Sequence, residues 1–215
     1  MSSASKNMTI EILPLNEEYF APAFELATKT FVEGSTLHKA LGIGLEEYRS
    51  YLRDSFENML AEGLSVVAIE KDKGNLLGCL IATDFYKTLD DGSKVSDRFK
   101  PLVELTNVLC RQYQRHRSVE AGKIMLVDMG AVTCKAGSRG IYQNMRYATQ
   151  KIAKSKGFSH VVGELSSTAT QHVVINKLGH EIIAEIAFSD FELDGKYPFR
   201  SIKEPSSIIL AEGKL

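Results

Sequence analysis

The chain has 215 residues, 44% of them hydrophobic, which is enough to bury a sizeable core and fits one domain better than two. Its 26 basic and 27 acidic residues leave a net charge of -1, so no global electrostatic footprint favours nucleic acid or an anionic membrane, and a small-molecule protein fits better. No run approaches about 18 apolar residues and no signal-peptide core is visible, so a soluble cytoplasmic protein is expected, with residues 1 to 8 as a flexible N-terminus and 9 to 215 as a single domain.

The first predicted element is a strand, "TIEILPL", followed by Asn16 as helix cap for a segment carrying Tyr19, Phe20, Phe24, Ala27 and Phe31. Pro22 blurs the start of that helix. After a loop, "VEGSTLHKALGIG", residues Leu45, Tyr48, Leu52, Phe56, Met59 and Leu60 recur at helical spacing, with Gly63 as the stop. "LSVVAIE" and "NLLGCLIATD", joined by the turn-forming "KDKGN", predict an antiparallel hairpin. A polar loop through "DDGSK" leads to a helical stripe from Phe99 to Tyr113, then to a nearly all-apolar strand from Lys123 to Thr133, which predicts a central position.

A helix starting near Gly140 carries Ile141, Met145, Ala148 and Ile152 on one face and stops at Gly157. "SHVVGEL" follows as a strand, so strand, helix and strand form a parallel crossover. Residues 168 to 178 read as a short helix, and "HEIIAEIAFSDF" and "SSIILAEG" close the chain as strands about the "DGKYP" bend. The whole is an α/β (α+β) chain: a mixed sheet of about seven strands with helices on its faces.

Three widely spaced cysteines, Cys79, Cys110 and Cys134, form no CxxC pair, and the five histidines show no ligand spacing, so neither disulfide framework nor metal site is expected. The join between the central strand and the next helix carries more chemistry. First-turn amides without partners and the positive end of a helix dipole favour an anion. Gly137 and Gly140 permit close backbone approach, Ser138 can donate from its hydroxyl, and Lys135 and Arg139 add charge. The competing reading is a plain glycine-containing turn with solvated basic residues. Neither GxxxxGK[ST] nor GxGxxG is present.

The order of elements, with Val132 ending the strand and Gly140 in the loop after it, resembles the GNAT superfamily of acyl-CoA-dependent N-acyltransferases. In that family an R/Q-x-x-G-x-G/A loop receives the coenzyme A pyrophosphate; here Gly137 stands where Arg or Gln is usual, Gly140 matches the central glycine and Tyr142 replaces the final small residue. "INKLGHEIIAEIAFSDFELDGKYPF" looks like the closing region of arylalkylamine N-acetyltransferase-like proteins, with His180 in place of the usual Phe. The resemblance implies a GNAT fold and transfer of an acetyl group from acetyl-CoA to a small primary amine by direct attack. The cofactor would then lie along Ala131, Val132, Gly137, Ser138, Arg139, Gly140, Ile141 and Tyr142. Acetyl-CoA and a small-molecule amine are the implied partners, and a homodimer is an admissible assembly.

Acyl transfer to an amine needs a proton acceptor, oxyanion donors and a proton for the departing thiolate. Asp128, ionisable within an otherwise apolar strand and placed by alternation on the face of Leu126 and Val132, is the first candidate base; the rival reading is a buried structural carboxylate. Glu33, just past the first helix, is the second candidate, because the resemblance implies an acidic residue on a substrate loop there; its rival reading is an exposed loop carboxylate. The tyrosine that many family members use as general acid falls at Ile175, so either Ser167 or Thr168 relays a proton or the thiolate leaves unaided. His38, on the same loop as Glu33, offers a base near neutral pH, with a structural or solvent-facing imidazole as the rival reading, and Cys134 lacks an adjacent His or other visible activator. Transfer of a longer acyl group, modification of a protein amine, and a CoA-binding regulatory module without turnover are the competing functions.

Overall fold

The computed structural model describes residues 8–89, 96–136 and 139–215. Residues 1–7 of the expected flexible lead, and Gly137 and Ser138 of the anion-binding join, lie outside the described residues. Met8 packs, half-buried, against the core.

The chain runs β1 (Ile10–Pro14), α1 (Glu17–Gly34), α2 (Thr36–Leu41), α3 (Leu45–Glu62), β2 (Val66–Glu70), β3 (Asn75–Asp84), α4 (Lys100–Gln114), β4 (Ile124–Val132), α5 (Ile141–Ser155), β5 (His160–Leu165), α6 (Thr168–Gln171), β6 (Glu181–Ala187) and β7 (Ser207–Lys214). α6 continues as a π-helical turn over His172–Lys177. The helix with Pro22 starts at Glu17, where the Asn16 side chain accepts from the Tyr19 amide at 3.2 Å. An Asn16→Ala substitution removes this acceptor and is expected to cost about 1 kcal/mol in a urea unfolding titration.

Two expectations are corrected. The segment predicted as a loop after Phe31 contains α2, because the Ser35 hydroxyl caps it, accepting from the His38 amide at 3.4 Å, and Leu37 is buried beneath it. The strand predicted through Phe191 ends at Ala187: the Asp190 and Phe191 amides turn back onto the Ala187 carbonyl, and Phe188 and Phe191 leave the sheet to pack with Phe199.

The seven strands form one mixed sheet in the order β1-β2-β3-β4-β5-β7-β6. Only β4 and β5 are parallel, as expected for strands joined by a helical crossover; the other neighbours are antiparallel. Strict alternation divides the core. Val67, Ile69, Cys79 and Ile81 face α1 and α3, with Phe24 and Phe56 edge-to-face at 5.3 Å. Val66, Ala68, Leu80 and Ala82 face α5, with Ile141, Met145 and Ala153. Beyond β5, α4 covers the first of these faces and the α6 segment the second.

His180 is buried with its ring over Gly213, where any Cβ would stand 2.5 Å from Nε2. Burial, helped by the nearby Arg146 charge, lowers it to about 4, so it is neutral at pH 7 and packs as an uncharged ring. No described helix is long and apolar enough to cross a membrane, and no group of His, Cys, Asp and Glu among the described residues could hold a metal.

Candidate active site

The site arises from an irregularity in the central strand. β4 pairs with β3 so that Val127 lies opposite Ala82 and Met129 opposite Ile81, leaving Asp128 as one extra residue. Such a bulge bends the strand and reverses side-chain parity beyond it. Accordingly Leu126 and Met129, three residues apart, share the face of the α1, α3 and α4 helices, whereas Val127 and Val132 face α5. The expectation that Asp128 and Val132 share a face is therefore corrected: alternation holds on each side of Asp128 but not across it.

At the same level β4 and β5 part. Their parallel ladder ends at Val127 and Gly163, although β4 continues with β3 to Val132 and β5 with β7 to Leu165. The β5-facing edge of β4 beyond Asp128 thus has no strand partner. The Thr133 amide donates to Leu77 of β3 at 2.8 Å, so alternation turns the Ala131 amide toward β3 and those of Gly130 and Val132 toward the open edge.

Two cavities meet at this point. The larger, about 800 Å³, lies on the helical face between α2, α3 and α4, and its walls include Tyr48, Tyr51, Leu102 and Cys110. The smaller, about 400 Å³, occupies the gap between the parted strands and reaches Tyr142, Ser167 and Thr168. Phe31, Ser35, Asp128, Met129, Glu164 and Ser166 line both. Asp128 therefore stands between two compartments.

The electrostatics of the junction follow from burial. Desolvation pushes the Asp128 carboxyl up to about 6. Glu164 is pushed up to about 8, first by desolvation and then by the charge of Asp128, and the Cys110 thiol donates to its Oε1 at 3.7 Å. Burial raises the Tyr51 phenol to about 12 and holds Tyr48 well above its ordinary range. His38 is buried, is held to Ser35 Oγ by Nδ1 at 3.0 Å and is lowered to about 4 by desolvation; it is thus neutral at pH 7 and a poor proton acceptor. At the far end of the larger cavity Lys87 pairs with Glu62 at 3.2 Å, and Glu62 is fixed by Thr83 Oγ1 and the Asp84 amide, both at 2.8 Å.

Other candidates are placed less centrally. Glu33 lies exposed in the last turn of α1 and lines neither cavity. Ser167 and Thr168 border the smaller cavity, and the Ser167 hydroxyl caps α6 by accepting from the Thr170 amide at 3.2 Å. At the start of α5, Gly140 adopts φ +69°, Arg139 is exposed, and no side chain among the described residues caps the first-turn amides. Ile141 is buried in the core, whereas the Tyr142 ring leans on Gly130, where any Cβ would meet it at 2.5 Å. Glu164, Tyr48, Tyr51 and Cys110 were not singled out by sequence reasoning. The signal for Glu164 was present: like Asp128, it is an ionisable residue within an apolar strand, "SHVVGEL".

No family model matches the chain, and no curated protein matches it by sequence. Solved structures do. The C-terminal condensation domain of Ebony in complex with beta-alanyl-dopamine superimposes with TM-score 0.86 at 16% identity, over 97% of this chain and 100% of that one. Arylalkylamine N-acetyltransferase 2 from Aedes aegypti gives 0.76 at 16% identity, over 95% and 98%. The putative acetyltransferase yncA from Salmonella typhimurium, with its cofactor acetyl-CoA, gives 0.55 at 12% identity, over 96% and 94%. The chain has the GNAT fold.

Proposed function

We propose that the protein is an acyl-CoA-dependent N-acyltransferase, moving acetyl from acetyl-CoA to a small primary amine by direct attack. The observation that carries this reading is the meeting of two cavities at Asp128, beside an unpaired edge of β4. The acceptor enters the larger cavity, where Phe31, Tyr48 and Tyr51 offer aromatic walls to an apolar amine and Asp128 takes its proton. The donor occupies the gap between the strands, and the coarse resemblance of the fold to acetyltransferases that bind acetyl-CoA or act on arylalkylamines supports both assignments.

The residues present fit such a donor. Among the described residues, a Cβ built on Gly140 meets nothing within 4 Å, which leaves the start of α5 open to a diphosphate at the positive end of the helix. Arg139, Gly140, Ile141 and Tyr142 would hold that end. The Val132 and Gly130 amides at the open edge would hold the pantetheine arm and the thioester carbonyl. When bound, acetyl-CoA supplies an acyl group activated as a thioester.

Calorimetric titration of the purified protein with acetyl-CoA, followed by an amine screen for release of free thiol, tests the reading. Binding without thiol release from any acceptor would favour a regulatory module, as the Ile175 at the family's tyrosine position also would. No binding would overturn both. Replacing Gly140 with Asp is expected to weaken acetyl-CoA binding about tenfold, through a side chain forced to positive φ and through repulsion of phosphate. Unchanged calorimetric affinity would remove the α5 start from the donor site.

A further inference from the structure

Glu164 is the residue on β5 immediately after Gly163, the last to pair with β4, so it faces the extra residue of β4 where the strands part. Like Asp128 it borders both cavities. Its one hydrogen bond among the described residues is that from the Cys110 thiol, and no salt bridge neutralises it. Among the described residues, the only lysine or arginine lining the larger cavity, Lys87, is already paired with Glu62. Among the described residues, the other titratable groups lining the two cavities are His38 from α2, Tyr48 and Tyr51 from α3, Cys110 from α4, Tyr142 from α5 and Glu204, none of which carries positive charge at neutral pH, and the buried Arg146 guanidinium over Gly163 lines neither cavity.

We propose that Glu164 is a second catalytic residue, forming with Asp128 a couple that begins each turnover holding one proton and serves the amine and the departing thiol from the same position. The inference rests on the acyltransfer reading above. Two adjacent carboxyls without a cation cannot both ionise cheaply, so one proton is retained between them; the values of about 6 and about 8 bracket neutral pH with that single proton in place. Asp128 enters as carboxylate and takes a proton from the acceptor's ammonium group, freeing the nitrogen lone pair. As the C–N bond forms and the C–S bond breaks, with the bonding pair leaving on sulfur, Glu164 gives its proton to that sulfur. Glu164 then takes the surplus proton from the nitrogen, which becomes a neutral amide. Asp128 passes its proton to water, which accounts for the one proton released when an ammonium ion and a thioester become an amide and a thiol.

The test is Glu164→Gln, with two readouts. In steady-state kinetics the wild-type kcat/KM is expected to rise through about pH 6 and fall through about pH 8. Glu164→Gln should lose the falling limb and about 10²-fold in kcat, and an acetyl thioester of a more acidic thiol should recover most of that loss. Infrared titration of the carboxyl bands in the protein without substrates needs no turnover. It should show two steps in the wild type, a lowered upper step in Asp128→Asn and an unmoved lower step in Glu164→Gln. Wild-type kcat with both limbs in Glu164→Gln, or an upper carboxyl that titrates in the ordinary glutamate range, overturns the couple alone. Failure of the wild type to turn over any amine overturns the acyltransfer reading, and the catalytic role of Glu164 with it.

Discussion

Asp128→Asn is expected to lower kcat/KM for the amine by about 10²–10⁴-fold, the range a positioned base supplies, while leaving acetyl-CoA affinity nearly unchanged. The carboxamide is the same size but cannot take the ammonium proton at the junction of the two cavities. The rising limb of the pH profile near 6 should disappear, because the group that ionises there is gone. Stability should move the other way. A carboxyl whose folded-state value is raised penalises its charged form in the folded protein. That penalty is absent below the unfolded value near 4 and complete above about 6, so the Asn variant should melt higher than wild type at pH 8 and equally at pH 4. Thermal melts at the two pH values check this, and an unaltered pH-rate profile would remove Asp128 as the base.

Arg146→Met is expected to stabilise the fold by about 1–4 kcal/mol. Arg146 is fully buried on α5, and none of its three guanidinium nitrogens has a hydrogen-bond partner among the described residues. The Tyr142 phenol lies alongside and favours the charge, yet burial dominates and lowers the guanidinium from its ordinary value. The guanidinium sits over Gly163, where a Cβ would stand 3.2 Å from Nη1. Methionine spans a similar length without a charge to desolvate, and its flexible thioether can fill the space. A urea titration of the two proteins at pH 7 decides the matter: a lower midpoint in the variant would mean that the guanidinium is compensated within the fold.

Most of the architecture was legible because it depends on local periodicity. The nearly all-apolar Ile124–Val132 segment announced a strand buried on both faces, and it is the fourth of seven. The stripe Tyr48, Leu52, Phe56 and Met59 announced α3, whose buried residues are those four. What escaped depends on pairing. The extra residue at Asp128 exists only relative to β3, so nothing in the β4 sequence shows that Leu126 and Val132 end on opposite faces. Glu164 was passed over for a related reason: its importance lies in where β5 stops pairing with β4, and strand partners are set by the fold. α2 escaped because six residues with one cap are too short to show a period. Glu33 was favoured through an alignment to a family's acidic loop residue, but α1 runs one turn further than that alignment assumed and carries it to the outer surface.

The position of Asp128 within a strand has a bearing on how such a protein diversifies. Loops drift readily as sequences change, but an irregularity clamped by β3 across the middle of a seven-stranded sheet has little freedom to wander. On the proposed reading, the acceptor walls come instead from helices that rest on the sheet without belonging to it. Substitutions on α3 and α4 can therefore recast which amine is admitted, generation after generation, while the proton-handling centre keeps its address.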